Sequence, residues 1–183
     1  LAPVVPVITI ARLDDALPLA RALADNGLPV LEVTLRTACA LEAIALIARE
    51  LPTACVGAGT VLNARDLDAV AQAGARFAIS PGATDTLYRA AAECPIPLIP
   101  GIATASELMR GLEHGWQRFK FFPAESSGGV GALKGFGGPP AAEQPPGDDD
   151  LDRPQQRGGQ DHELGRAGPD RPGRADQERA AQQ

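Results

Sequence analysis

The feature that most constrains the fold is an alternation of two patterns up to about Leu133. Short apolar runs typical of strands alternate with Ala- and Leu-rich stretches of helical periodicity, and the strand starts recur every twenty-odd residues. The predicted strands are Val4–Ile10, Val30–Leu35, Ala54–Gly57, Arg76–Ser80, Pro97–Pro100 and Gln117–Phe122. The predicted helices are Leu13–Asn26, Ala40–Leu51, Ala64–Ala73, Asp85–Glu93 and Ala105–His114. Such βα units in series predict a parallel sheet with right-handed crossovers and helices outside it.

The second predicted strand favours one of two architectures, an open doubly wound sheet or a (β/α)₈ barrel. An open sheet with helices on both sides needs apolar residues on both faces of its strands. This strand instead alternates apolar and polar side chains, in the order Leu31, Glu32, Val33, Thr34, Leu35 and Arg36. In a barrel the apolar face packs under helices, and the polar face lines the interior near its mouth. We therefore expect a (β/α)₈ barrel.

The character of the sequence changes after Gly135. From Gly137 to Gln183 there is no Val, Ile, Met, Phe, Tyr, Trp or Cys, and Leu occurs only at Leu151 and Leu164. Such a segment buries too little apolar area to offset a backbone entropy of roughly 1–2 kcal/mol per residue. We expect residues 1–135 to form a barrel domain with six of its eight units, and residues 136–183 to be a disordered tail. A frameshift in a GC-rich gene is favoured over a genuine appendage.

Composition restricts the partners. A net charge of −6 and a pI near 4.9 argue against nucleic acid or an anionic membrane surface as a main partner. No apolar run is long enough to cross a bilayer. The three cysteines match no zinc spacing and the two histidines are far apart, so neither a metal nor another cofactor is expected. A reducing, cytoplasmic setting is the simplest expectation.

Lys120 is the first candidate for chemistry. It lies in a predicted strand between aromatic neighbours, and Phe122 shares its face. One interpretation is a lysine that extends from a strand end into solvent, which is common. The other is an amine in a desolvating pocket, where its neutral form attacks a carbonyl. By the same two-residue period Arg118 points into the same interior, and the spacing alone leaves the two interpretations open.

Other polar residues fall at or near the predicted C-terminal strand ends, where barrel active sites are built. Glu32 and Arg36 share a strand face, as a carboxylate that can move protons and a guanidinium that can grip an anion. Thr60 ends a Gly-Ala-Gly-Thr segment, which predicts a tight turn that presents N–H groups and a hydroxyl to an anion. Pro81 and Gly101 occupy corresponding strand ends.

These blocks together resemble the 2-keto-3-deoxy-6-phosphogluconate / 4-hydroxy-2-oxoglutarate aldolases, abbreviated KDPG and KHG aldolases. The resemblance runs in order to about Lys134, and the blocks around Glu32 and Lys120 are highly specific together. The matching blocks are Val4-Val5-Pro6-Val7, Leu31-Glu32-Val33-Thr34-Leu35-Arg36-Thr37, Val56-Gly57-Ala58-Gly59-Thr60-Val61-Leu62, Phe77-Ala78-Ile79-Ser80-Pro81-Gly82, Ile99-Pro100-Gly101 and Phe119-Lys120-Phe121-Phe122-Pro123-Ala124-Glu125.

The resemblance implies a role for six residues. Lys120 would form the Schiff base and Glu32 would be the general acid/base. Arg36 and Thr60 would hold the carboxylate of a pyruvate moiety. Pocket-lining residues would be Pro81 and Phe122. The family implies a cytoplasmic homotrimer without a metal, a 2-keto acid substrate of Entner–Doudoroff carbohydrate metabolism, and cleavage to pyruvate and an aldehyde.

The sequence departs from the family after Gly135. A seventh strand leading into a Thr-Gly-Gly phosphate loop, and an eighth strand with a second glycine-rich turn, are not recognisable. The alternative is therefore a catalytically impaired chain that acts as a binding or assembly subunit. A different phosphate-binding barrel, such as an epimerase or decarboxylase, has no need of an interior lysine beside a Glu/Arg pair.

Overall fold

A computed structural model of the protein describes residues 4–137, and all its strands are short. The strands are β1 (Val7–Ile8), β2 (Val30–Thr34), β3 (Cys55–Gly59), β4 (Ala78–Ile79), β5 (Leu98–Ile99), β6 (Gly101–Ile102) and β7 (Lys120–Phe121). The α-helices are α1 (Ala16–Asp25), α2 (Ala40–Glu50), α3 (Ala64–Gln72), α4 (Asp85–Glu93), α5 (Ala105–Glu113) and α6 (Gly129–Phe136). Two 3₁₀ turns lie at Leu13–Asp15 and Glu125–Ser127. The predicted alternation of strands and helices is confirmed across this range.

All strand pairs are parallel, as predicted. Strands β1 to β5 form one sheet in chain order, and β6 and β7 form a second pair. Only Pro100 separates β5 from β6, and its carbonyl accepts a 2.9 Å hydrogen bond from the Lys120 N–H. The predicted fifth strand ended too early, at Pro100. The chain remains extended beyond the proline, and Gly101–Ile102 pairs with the strand that carries Lys120.

Strand β2 divides its side chains between two faces, as predicted. Leu31 and Val33 are fully buried in a core that also contains Ile44 and Ile47 from α2. Glu32 lies on the opposite face and is 3% exposed. In register, Glu32 is opposite Val7 of β1 and Gly57 of β3, so these three positions share the interior face.

Strands β1 to β7 together are called the wall below, and its outer edges are β1 and β7. Within residues 4–137 each has a hydrogen-bonded neighbour on one side only. Val7, on the interior face of β1, is accordingly 54% exposed. Of the predicted tail, residues 136–183, only Phe136 and Gly137 are described, and Phe136 ends α6. Residues 138–183 lie outside the described range, so the disorder and frameshift hypotheses remain predictions.

Glycines and a capping box mark several helix ends. Three glycines end helical stretches in left-handed backbone conformations, Gly27, Gly74 and Gly115. A capping box begins α5, because Thr104 accepts from the Glu107 N–H while Glu107 accepts from the Thr104 N–H. Helix α6 was not predicted, since its glycines weaken helical propensity.

Two features are absent from the described range. No helix within residues 4–137 is long and apolar enough to cross a membrane. The same residues contain no group of three or more His, Cys, Asp or Glu side chains placed to hold a metal ion.

Candidate active site

An ion pair between Lys120 and Glu32 forms the centre of the candidate site. The Lys120 Nζ donates to Glu32 Oε1 at 3.0 Å and lies 3.4 Å from Oε2. The two residues come from β7 and β2, and both point to the interior face of the wall. The Glu32 side chain is 4% exposed and the Lys120 side chain 27% exposed. A carboxylate this deeply buried is costly unless it is paired, and here its partner is an amine.

An aromatic ring lies beside the Lys120 amine. The Phe122 ring, two residues along the same strand face, has its centroid 5.1 Å from Lys120 Nζ. That distance fits a cation–π contact. The lysine is therefore turned onto Glu32 and Phe122 rather than extended into solvent, and the prediction that Phe122 shares its face is confirmed.

Thr34 ties the Glu32 strand to its neighbour. The residue is 1% exposed, and its hydroxyl donates to the Ile8 carbonyl at 3.1 Å and lies 2.8 Å from the Thr9 hydroxyl. Because Thr34 has one proton and gives it to the carbonyl, the Thr9 hydroxyl is the donor between the two threonines. This bridge fixes β1 against β2 beside Glu32. Sequence reasoning placed Thr34 on the interior face but gave it no role.

Two interior glycines make room for larger groups. Strand β3 runs to Gly59, so the prediction of a turn over Gly57–Thr60 is wrong for its glycines, which belong to the strand. A Cβ atom on Gly57 would meet the Phe77 ring, and one on Gly59 would lie 2.9 Å from Glu32 Cδ. The sequence signal was available, since Gly57 and Gly59 alternate at the two-residue period of an interior face.

The remaining predicted residues follow the C-terminal ends of their strands. Thr60, directly after β3, is half-buried and has φ 64°, a left-handed value that is rare for a β-branched residue. Arg36 lies two residues beyond β2 and is exposed, and Pro81 is exposed beyond β4. Gly101, predicted at a strand end, instead begins β6. A Cβ there would meet the Pro81 backbone, so the chain just after β4 lies close to the start of β6. Among the six predicted site residues, all within residues 4–137, side-chain polar and cation–π contacts join only Lys120 to Glu32 and Lys120 to Phe122.

Arg118 is exposed and lies apart from the pair of Lys120 and Glu32. It lines a cavity of about 710 Å³ whose other lining residues include Val30, Cys55 and Ile99. Val30 and Cys55 are the first residues of β2 and β3, so the cavity lies toward the N-terminal ends of the strands. Neither Lys120 nor Glu32 lines it. The prediction that Arg118 points into the same interior as Lys120 is wrong, because Arg118 is exposed and Lys120 does not line this cavity. Cys55 is half-buried on the cavity wall.

Known proteins share both the sequence and the arrangement. The family described as KDPG and KHG aldolase matches residues 1–144. A KHG/KDPG aldolase from Escherichia coli K12 is 60% identical over 137 residues, which are 75% of this chain and 64% of the relative. A 2-dehydro-3-deoxy-phosphogluconate aldolase from Dickeya dadantii is 61% identical with the same coverage. The chain thus spans less than two thirds of the length of these curated relatives.

Solved structures give the same result. A KDPG aldolase from Legionella pneumophila, in which pyruvate was captured as a covalent carbinolamine intermediate, superposes with a TM-score of 0.74 at 52% identity, over 75% of this chain and 66% of that one. The aldolase of Zymomonas mobilis gives 0.71 at 54% identity, over 73% and 64%. These likenesses confirm the predicted barrel class. With a family match over residues 1–144 and this shared fold, the chain belongs to the KDPG and KHG aldolase family.

Proposed function

We propose that this chain is a class I aldolase that cleaves a 2-keto acid substrate through a Schiff base on Lys120. The single observation that carries the proposal is the contact of the Lys120 amine with the buried Glu32 carboxylate at 3.0 Å. An imine-forming lysine needs a neighbouring group that moves protons, and a carboxylate within hydrogen-bond reach meets this need.

The proposed reaction begins when the Lys120 ammonium passes a proton to Glu32 and the neutral amine attacks the C2 ketone. Glu32 delivers that proton to the ketone oxygen and takes a second one from the nitrogen of the resulting carbinolamine. It then returns this second proton to the hydroxyl, which leaves as water and gives a protonated imine. Glu32 next accepts the proton of the C4 hydroxyl as the C3–C4 bond breaks, and the electron pair moves into the imine to give an enamine. The aldehyde departs, C3 of the enamine regains a proton, and hydrolysis frees pyruvate and Lys120.

The other predicted residues receive binding roles in this proposal. Arg36 and Thr60 hold the substrate carboxylate, for which a guanidinium and a hydroxyl at adjacent strand ends are suited. Pro81 and Phe122 line the pocket. The exposed position of Arg36 fits a residue that meets an anion arriving from solvent.

The substrate proposal follows the relatives. KHG/KDPG aldolase is the name of the Escherichia coli protein, so 2-dehydro-3-deoxy-6-phosphogluconate and 4-hydroxy-2-oxoglutarate are the proposed substrates. The second products would be glyceraldehyde 3-phosphate and glyoxylate. We further propose a cytoplasmic homotrimer, and a division into a barrel domain over residues 1–135 and a separate segment over residues 136–183.

A catalytically impaired binding or assembly subunit is the competing function. Its support is the 54% exposure of Val7 on the interior face of β1. Within residues 4–137, β1 and β7 each have one strand neighbour only, and an unpaired strand edge can bind another chain. The two functions make opposite predictions for imine formation.

Trapping the imine tests the proposal. The chain has only two lysines, Lys120 and Lys134, so intact mass and peptide mapping after treatment with pyruvate and sodium borohydride locate any adduct without ambiguity. We expect one N-carboxyethyl group on Lys120. The Lys120→Arg variant should lose it, and the Lys134→Arg variant should keep it. Folded wild-type protein that carries no adduct on Lys120 would reject the aldolase proposal and favour the binding subunit.

A further inference from the structure

The two interior glycines of β3 leave space that side chains from the two neighbouring strands fill. Gly57 receives the Phe77 ring from the β4 side, because a Cβ there would overlap the ring. Gly59 receives the Glu32 side chain from the β2 side, because a Cβ there would lie 2.8 Å from Cγ and 2.9 Å from Cδ. Both separations are well inside ordinary van der Waals contact.

The register explains why the carboxylate occupies the upper space. Glu32 is directly opposite Gly57, and Gly59 is opposite Thr34, one step nearer the C-terminal strand ends. The Phe77 ring fills the space over Gly57, so Glu32 leans along the strand over Gly59 instead. This lean carries the carboxylate toward the strand ends and onto Lys120 Nζ.

We propose that Gly59 is a positioning residue, whose missing side chain creates the space in which Glu32 meets Lys120. The inference rests on the proposed function and adds a requirement to it. A methyl group at position 59 forces the Glu32 carboxylate off the β3 backbone and away from Lys120, while a methyl group at position 57 meets the apolar Phe77 ring instead of the carboxylate.

Matched alanine variants on the same strand face test this. Gly59→Ala should lower kcat about 100-fold with KM changed little, the scale expected when a catalytic group is displaced by about 1 Å. Gly57→Ala should lower the thermal midpoint but keep kcat within a few fold. Gly131→Ala, where a Cβ meets nothing within 4 Å, is the neutral control.

A double variant separates the Glu32 route from an effect on the adjacent Thr60. Aspartate is one methylene shorter, so Glu32→Asp leaves room for the alanine methyl. If Gly59 acts through Glu32, adding Gly59→Ala to Glu32→Asp should cost far less than adding it to the wild type. Equal costs in the two backgrounds would overturn the proposal, as would a kcat loss in Gly57→Ala as large as that in Gly59→Ala.

A chemical readout keeps the inference testable apart from catalysis. In acetylation by a limiting amount of acetic anhydride, Lys134 serves as an internal standard for Lys120. The carboxylate contact shields the Lys120 amine, so Gly59→Ala should raise the Lys120-to-Lys134 labelling ratio several fold and Gly57→Ala should not. An unchanged ratio in Gly59→Ala overturns the positioning role even if the wild type traps pyruvate. A changed ratio in a chain that traps none supports the positioning role and rejects only the aldolase activity.

Discussion

Lys120 and Glu32 are unequal partners, since the lysine side chain is 27% exposed and the glutamate side chain only 4% exposed. Loss of the lysine therefore leaves a charge that cannot reach water, whereas loss of the carboxylate leaves an amine that can. We expect Lys120→Met to destabilise the fold by about 3 kcal/mol, and Glu32→Gln by clearly less. Urea unfolding of both variants checks this order.

The double variant provides the control for that prediction. Lys120→Met combined with Glu32→Gln contains no unpaired charge, so its free energy of unfolding should lie above that of Lys120→Met alone. If the double variant is no more stable than Lys120→Met, the cost arises from lost packing around the methylenes rather than from the buried carboxylate.

The threonine bridge between β1 and β2 gives a second prediction. Thr34→Val keeps the shape of the side chain but leaves the Ile8 carbonyl and the Thr9 hydroxyl without this partner. We expect a loss of about 1–3 kcal/mol in the free energy of unfolding. Thr53→Val, at an exposed position, should stay within about 0.5 kcal/mol of the wild type. Equal effects at both sites would contradict a structural role for the bridge.

The capping box of α5 predicts a dependence of stability on pH. The Ala103 N–H, assisted by hydrogen bonds from the Thr104 hydroxyl and N–H, holds the pKa of Glu107 below its ordinary 4.5, although partial burial opposes this. Because the folded-state pKa is the lower one, the contribution is complete above the unfolded-state pKa and is lost as the pH falls through the folded-state value. Wild type should therefore lose more stability than Glu107→Gln between pH 6 and about pH 3.

An exposed glutamate at the other end of the same helix is the matched control for the pH prediction. Glu113→Gln should follow the wild-type pH profile, because Glu113 makes no side-chain hydrogen bond among the described residues. Chemical unfolding at several pH values measures all three proteins. A wild-type profile parallel to that of Glu107→Gln would show that the carboxylate contributes nothing to the cap.

Tyr88, in helix α4, gives a fourth prediction. Its ring stacks on His114 at 4.7 Å and meets Trp116 edge-on at 5.1 Å. Burial raises the pKa of Tyr88 above its ordinary 10.0, and Arg110 opposes part of that rise. The raised folded-state pKa favours the neutral phenol, so this residue contributes less stability once the pH exceeds the unfolded-state value.

Tyr88 is the only tyrosine of the chain, so ultraviolet titration of phenolate reads it directly. The folded protein should ionise above the usual range, and the chain in guanidinium near 10.0. Coincident curves in the two states would contradict the burial of the hydroxyl-bearing ring.

Much of the wall could be predicted because its signals are local. The polar and apolar alternation at Leu31 and Glu32 reports which face each residue occupies, and Thr104 with Glu107 marks a helix start by spacing alone. The predicted fifth strand stops at Pro100 and therefore omits β6. Proline has no backbone N–H to donate, but Pro100 lies between β5 and β6, where only its carbonyl is used. The extent of β3 was missed because Gly57 and Gly59 resemble turn residues until their neighbours Phe77 and Glu32 are known.

The contact between Lys120 and Glu32 was not predictable from spacing. Period-two geometry places both side chains on interior faces, but it fixes neither their height nor their distance across the barrel. The register of β1 to β5 and the break at Pro100 determine these, and both are set by pairings between strands far apart in sequence. The family resemblance implied the two roles without giving the 3.0 Å geometry.

The separation of Lys120 and Glu32 by 88 residues has a consequence for how the chain is made. Glu32 leaves the ribosome long before its counter-ion has been synthesised. Until β7 arrives, a nascent wall of β1 to β5 carries an ionised carboxylate on a surface that has not yet lost its water, and burying it early would be unfavourable. We therefore expect the final closure of the interior to wait for the arrival of Lys120.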